Sequence, residues 1–131
     1  MLNKELNNII QKYNIQKTQN IIYGTNIPML KAAIPTPLGT YISFEESRYY
    51  FFYFDEQGIR FYLRDGSSYF DIAWDEIVDF KISHLFIVGK MVVKTKSNTY
   101  KFQINRVVIG CPWIGKNTKY LESVNYFYKK K

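Results

Sequence analysis

The stretch Arg48–Arg64, RYYFFYFDEQGIRFYLR, sets six aromatic residues in a row, Tyr49 to Phe54, ahead of the turn Asp55-Glu56-Gln57-Gly58. A β-strand sends alternate side chains to opposite faces, so three of these rings face one way and three the other. Alternation resumes after the turn, with Ile59, Phe61 and Leu63 set against Arg60, Tyr62 and Arg64. The pattern predicts an antiparallel hairpin in which Gly58 supplies a positive φ. A turn symmetric about its centre pairs Phe54 with Ile59, Phe52 with Phe61 and Tyr50 with Leu63. Applied to the next turn, Asp65-Gly66-Ser67-Ser68, the same rule pairs Ile59 with Trp74, Phe61 with Ile72 and Leu63 with Phe70. Both hairpins choose the same inner residues on the shared strand, and that agreement supports the assignment of faces.

Outward from this hairpin, short strands are predicted at Gly39–Phe44, Tyr69–Trp74, Ile77–Ser83, Met91–Lys96 and Thr99–Asn105, separated by turn residues. The first segment, LNKELNNIIQKY, puts Leu2, Leu6, Ile9, Ile10 and Tyr13 on one helical stripe, an amphipathic helix near residues 2–13. Between Asn14 and Gly39, three prolines and two glycines argue against a long regular element, and the stretch reads as a connector packed on the domain surface. The tail NTKYLESVNYFYKK aligns Tyr120, Leu121, Val124, Phe127 and Tyr128 as a second amphipathic helix, near 117–129. The expected class is mainly β: an antiparallel barrel or sandwich of about seven strands in residues 39–131, capped by the C-terminal helix. Residues 1–38 are read as the N-terminal helix and its Pro-containing connector. Phe52, Phe61, Leu63, Phe70, Ile72, Val93, Phe102 and Leu121 are expected inside.

A chain of 131 residues, 47% hydrophobic and 18% aromatic, fits one folded domain and is not of disordered composition. Its single cysteine, Cys111, excludes an internal disulfide; with no signal-peptide pattern, a reducing cytoplasmic setting is expected, with peripheral attachment to a membrane left open. No apolar run is long enough to span a bilayer. The net charge of +7 is uneven. Residues 45–79 hold nine acids and three arginines, whereas residues 80–131 hold eleven Lys or Arg and one acid. That asymmetry suggests an anionic partner for the C-terminal half: lipid headgroups, an acidic protein or nucleic acid; a lysine face that is merely solvated is the rival.

YFDIAWDEIVDFKI, a short apolar loop with Gly-Lys, then MVVKTKSNTYKFQI and a final helix together resemble bacterial pleckstrin-homology-like and GRAM-type domains over residues 39–131. In those domains a strand ends in Trp, an acidic turn follows, and the next strand starts with Ile. The resemblance implies a bent seven-stranded barrel capped by its C-terminal helix, binding of lipid headgroups or protein, and no catalysis. The basic motif by which eukaryotic members hold phosphoinositides is not recognisable here.

Two surfaces are candidates for binding. The outer face of the first hairpins carries Tyr49, Phe51, Tyr53, Tyr62 and Tyr69 interleaved with Arg60 and Arg64, more apolar surface than a monomer leaves bare. The N-terminal helix, which needs an apolar mate, is expected to cover these rings. The alternative is an open platform for a protein partner, as in a small phage-type regulatory or immunity protein, or for stacked bases. The second surface is basic: Lys90, Lys94, Lys96 and Lys101, joined by Arg106. A turn centred on Ser97-Asn98 sets Lys94 opposite Lys101, a repulsion that a bound anion would offset and that solvent would screen. SHLFIVGK, residues 83–90, reads as a core strand, or else as an apolar tip inserting at an anionic membrane.

The chemical motifs are weak. GCPWIGKNT, residues 110–118, has the spacing of a phosphate-binding loop, but Asn117 stands where Ser or Thr holds Mg²⁺ and Pro112 lacks an amide N–H. It reads as a turn into the last helix, with Asn117 or Thr118 as N-cap. His84 is the sole histidine, Cys111 is expected to be packed, and the acids near Asp71–Asp79 lack calcium-loop spacing. No cofactor, metal or catalytic residue is assigned, and a non-enzymatic binder is expected.

Overall fold

The computed structural model describes residues 2–28, 30–44, 46–85 and 87–128, with the backbone alone for 30–32, 41–44 and 85. Helix α1 (Leu2–Lys12) and a 3-10 turn at Thr18–Asn20 precede β1 (Ile21–Asn26), β2 (Leu30–Thr36) and β3 (Gly39–Phe44). Then come β4 (Tyr49–Phe54), β5 (Gly58–Leu63), β6 (Tyr69–Ala73), β7 (Ile77–Leu85), β8 (Val88–Thr95) and β9 (Thr99–Asn105), before helix α2 (Pro112–Ser123). Seven strands form one antiparallel sheet in the order β6-β5-β4-β1-β9-β8-β7, while β2 and β3 pair only with each other.

The sheet is not closed into a barrel, contrary to expectation: β6 and β7 are its two free edges. The chain passes from one edge to the other through a 3-10 turn at Trp74–Glu76. The rings of Trp74 and Phe80 pack on Tyr128 at 5.4 and 5.3 Å, joining that turn and the start of β7 to the inner core.

The expected connector contains the sheet's central strand. Ile21, Ile22, Tyr23 and Gly24 are all buried, and β1 bonds to β4 on one side and β9 on the other. Gly24 is a packing requirement rather than a breaker, since a Cβ there would overlap the carbonyl oxygen of Gln103 and approach Phe52 Cε2 to 2.9 Å. Pro35 is paired with Thr40 in the small β2–β3 hairpin, where each strand has a free edge that tolerates proline.

The first hairpin has the expected register, Phe54 with Ile59, Phe52 with Phe61 and Tyr50 with Leu63. The next is shifted by two residues, pairing Ile59 with Ile72 and Phe61 with Phe70. Leu63 N–H donates to the Ser68 carbonyl and Gly66 holds φ 78°, so this turn is one residue nearer the N-terminus than symmetry suggested. A shift of two preserves the faces. Leu63 is consequently only half-buried, and Phe70 is 40% exposed while stacked on Phe61 at 4.5 Å. Gly58 has no positive φ; it leaves room for the Ile72 carbonyl instead.

Packing is two-layered. The inner face buries Phe52, Phe54, Phe61 and Phe102 with Leu121 and Tyr126. The outer face buries Phe51, Tyr62 and Ile21 against Leu6 and Ile9 of α1 and Ile114 of α2. Helix α2 starts earlier than expected, with Pro112 in its first turn, a position where no amide is needed. It ends at Ser123 because Asn125, Tyr126 and Phe127 adopt left-handed backbone (φ 51°, 55° and 60°), so the expected stripe breaks and Val124 is exposed.

Candidate functional site

The six-ring strand is covered on both faces beyond its first residue, Tyr49. Tyr50, Phe52 and Phe54 are in the inner core; Phe51 is fully buried beneath α1, and Tyr13 packs on Tyr62 and Tyr69 at 4.9 and 5.2 Å. Trp113 of α2 adds its ring to Phe51 and donates its indole N–H to Asn3 Oδ1 at 2.7 Å. An open aromatic platform is thereby ruled out for Phe51 and Tyr62, and Tyr53 is half-buried; Tyr49 and Tyr69 keep 47% and 44% exposure at the rim.

The two arginines of that face are engaged. Arg64 makes a two-toothed ion pair with Glu5 of α1 (Nε–Oε2 2.8 Å, Nη2–Oε1 2.9 Å), donates to the Tyr23 hydroxyl and lies over the rings of Tyr23 and Tyr49. Arg60 pairs with Asp71 at 2.7 Å and lies 4.9 Å from the Tyr69 ring centre. Burial pushes the Tyr23 and Tyr62 hydroxyls above their ordinary range.

The Arg64 hydrogen bonds hold the Glu5 carboxyl below its ordinary 4.5, against a smaller opposing effect of burial. A carboxylate with a depressed folded-state pKa adds stability that is present above the unfolded value and lost as pH falls through the folded one. The pair is part-exposed, 29% for Glu5 and 35% for Arg64. Glu5→Gln should therefore cost up to about 1 kcal/mol at neutral pH. It should also flatten the fall in stability below pH 4.5, as read by urea denaturation at pH 6 and pH 3.5.

The other half of the outer face is free of α1 and basic. Lys81, Val92 and Lys101 stand abreast on β7, β8 and β9, with Lys90 and Lys94 on either side of Val92 along β8. With strands about 4.8 Å apart and about 6.7 Å between alternate residues, four lysine stems rise from a patch of about 10 by 13 Å. Asp79 is its one acid, facing Lys94 across the ladder and 3.8 Å from Lys81. Lys96 extends the patch in the β8–β9 turn, which closes through Thr95 N–H to the Asn98 carbonyl.

The expected direct opposition of Lys94 and Lys101 is not present. The turn centres on Lys96-Ser97, so Lys94 faces Thr99 and Lys101 faces Val92. Arg106 stands apart from the patch, pairing with Glu122 of α2 at 2.6 Å beside His84, whose Nε2 is 3.3 Å from the same oxygen. Lys81 was missed, although the alternation of Ile77–Ser83 sets it outward with Asp79 and Ser83.

Residues 112–118 are the opening turns of α2, and Asn117, buried mid-helix rather than capping, donates to the carbonyls of Thr18 (3.0 Å) and Ile21 (2.8 Å). Cys111 is buried under α1 and no hydrogen bond links it to His84. Among the described residues no group of His, Cys, Asp and Glu is placed to hold a metal ion. The 83–90 stretch is neither wholly core nor loop: β7 and β8 run through it, with Ile87 60% exposed at their tip and Phe86 outside the described residues.

No family model matches the sequence, and no curated protein matches it. A solved structure, the C-terminal domain of an unknown protein from Leishmania infantum, is similar over 98% of this chain and 100% of that one, with a TM-score of 0.53 and 12% identity. This likeness concerns the fold alone.

Proposed function

We propose that the protein is a non-enzymatic binding module of pleckstrin-homology-like design whose lysine face docks on an anionic membrane surface. The observation that carries the reading is the clustering of Lys81, Lys90, Lys94 and Lys101 around Val92, on the part of the sheet that α1 leaves uncovered, with Asp79 as the one acid. Like charges so close repel one another, and a polyanionic surface offsets that cost. A seven-stranded antiparallel sheet with a C-terminal helix supports the family frame, and the unpaired edges β6 and β7 depart from it. Among the described residues no helix is long and apolar enough to cross a membrane.

The test is the double substitution Lys94→Ser/Lys101→Ser in vesicle co-sedimentation. Both side chains leave the outer face, so thermal stability should stay within about 0.5 kcal/mol. Each lysine near an anionic surface contributes about 1 kcal/mol, so binding to phosphatidylserine vesicles should weaken about 30-fold. Equal binding by both proteins would refute the lysine face. Tighter, salt-sensitive binding to single-stranded DNA or to an acidic protein than to vesicles would transfer the same face to that partner.

A further inference from the structure

The β2–β3 hairpin is an addition to the seven-stranded sheet, inserted between β1 and β4 and paired only within itself. Every residue from Ala33 to Thr40 is exposed, so neither face of the ribbon is packed there; Ile34 is 52% exposed and Leu38, at the tip, fully so. A two-stranded hairpin alone is marginal in water. From Ile27 to Phe44 the sequence has no acid and one lysine.

Its root is clamped. Asn26 donates its side-chain N–H to the Glu46 carbonyl at 2.9 Å and accepts from the Arg48 N–H at 2.6 Å, while Thr25 Oγ donates to the Arg48 carbonyl at 2.7 Å. Ile27 N–H donates to the Lys101 carbonyl at 2.8 Å. The arm therefore leaves the domain at the end of β9 that carries Lys101 and the Lys96 turn, with Lys94 one strand over, paired with Thr99. Glu46, the one acid at the described root, is 4.0 Å from Arg48.

An uncharged apolar tip on a ribbon about 20 Å long, rooted in a cluster of lysines, has the order of chemistry found across a bilayer's edge: hydrocarbon, then anionic headgroup. We infer that residues 33–40 insert into the headgroup–acyl boundary of an anionic membrane while Lys94, Lys96 and Lys101 contact its headgroups. This rests on the proposed lysine-face reading and adds the depth and orientation of docking.

Two measurements on the full chain separate the two ideas. Leu38→Asp should leave the fold unchanged, since the side chain touches nothing, and should weaken binding to phosphatidylserine vesicles about tenfold. An environment-sensitive dye on Leu38→Cys (Cys111 is buried and slow to react) should shift its emission to the blue on those vesicles and be quenched by bromine on the acyl chains. Unchanged binding by Leu38→Asp together with an unshifted dye overturns insertion and leaves the lysine face standing. Absence of wild-type binding removes both. A dimer of the wild type that Leu38→Asp converts to monomer, with no effect on vesicles, overturns insertion and assigns the arm to a second copy.

Discussion

Alanine at position 24 should destabilise the protein by about 3 kcal/mol or more. The added methyl group meets the Gln103 carbonyl of the neighbouring strand, which is backbone at the centre of a seven-stranded sheet and has no rotamer by which to yield. Relief requires β1 to move away from β9, loosening the ladder that joins the two halves of the sheet. Against a usual total of about 5–15 kcal/mol, such a loss brings the chain close to unfolding at 37 °C. Gly115→Ala is the contrast: it lies within α2 and its Cβ meets nothing within 4 Å. It should gain about 0.5–1 kcal/mol from helix propensity. Urea midpoints of both variants check the pair, and equal, small effects would place β1 elsewhere than beside β9.

Removing residues 1–13 should have the second large effect. Leu6 and Ile9 are buried against Phe51 and Tyr62, and each such side chain contributes about 1.5–3 kcal/mol. Tyr13, Asn3 and Glu5 add ring packing and bonds to Tyr62, Gly110 and Arg64. Without the helix, the outer aromatic face becomes an exposed apolar patch, and the truncated chain should self-associate and bind a hydrophobic dye. Ile9→Ala tests the same packing in a chain that still folds, with an expected loss of about 2–5 kcal/mol. A truncated chain that remains a dye-free monomer of wild-type stability would contradict the cover.

The sequence disclosed those parts of the fold in which one face differs from the other. Tyr49–Phe54 and Gly58–Leu63 alternate around a short turn, and their register follows from it. Ile21–Gly24 shows no alternation because both of its faces are buried, one under α1 and the other in the inner core, so its strand period is invisible and Gly24 looks like a breaker. Turn centres were legible only to within a residue: Ser68 and Asn98 have turn chemistry, yet each closes a ladder pair instead. The lysine patch survived this shift because a slip of two keeps Lys90, Lys94 and Lys101 on one face. Arg106 did not join them, since its position depends on Glu122, sixteen residues away on α2.

Docking of the lysine face is tested most directly by titrating the wild-type chain onto vesicles of graded phosphatidylserine content in phosphatidylcholine. Bound fraction should be near zero without the anionic lipid and rise steeply with it. It should collapse between about 0.1 M and 1 M salt, as the screening length shortens from about 10 Å to about 3 Å. Absence of binding to the most anionic vesicles at low salt, or equal binding to the zwitterionic ones, would contradict it.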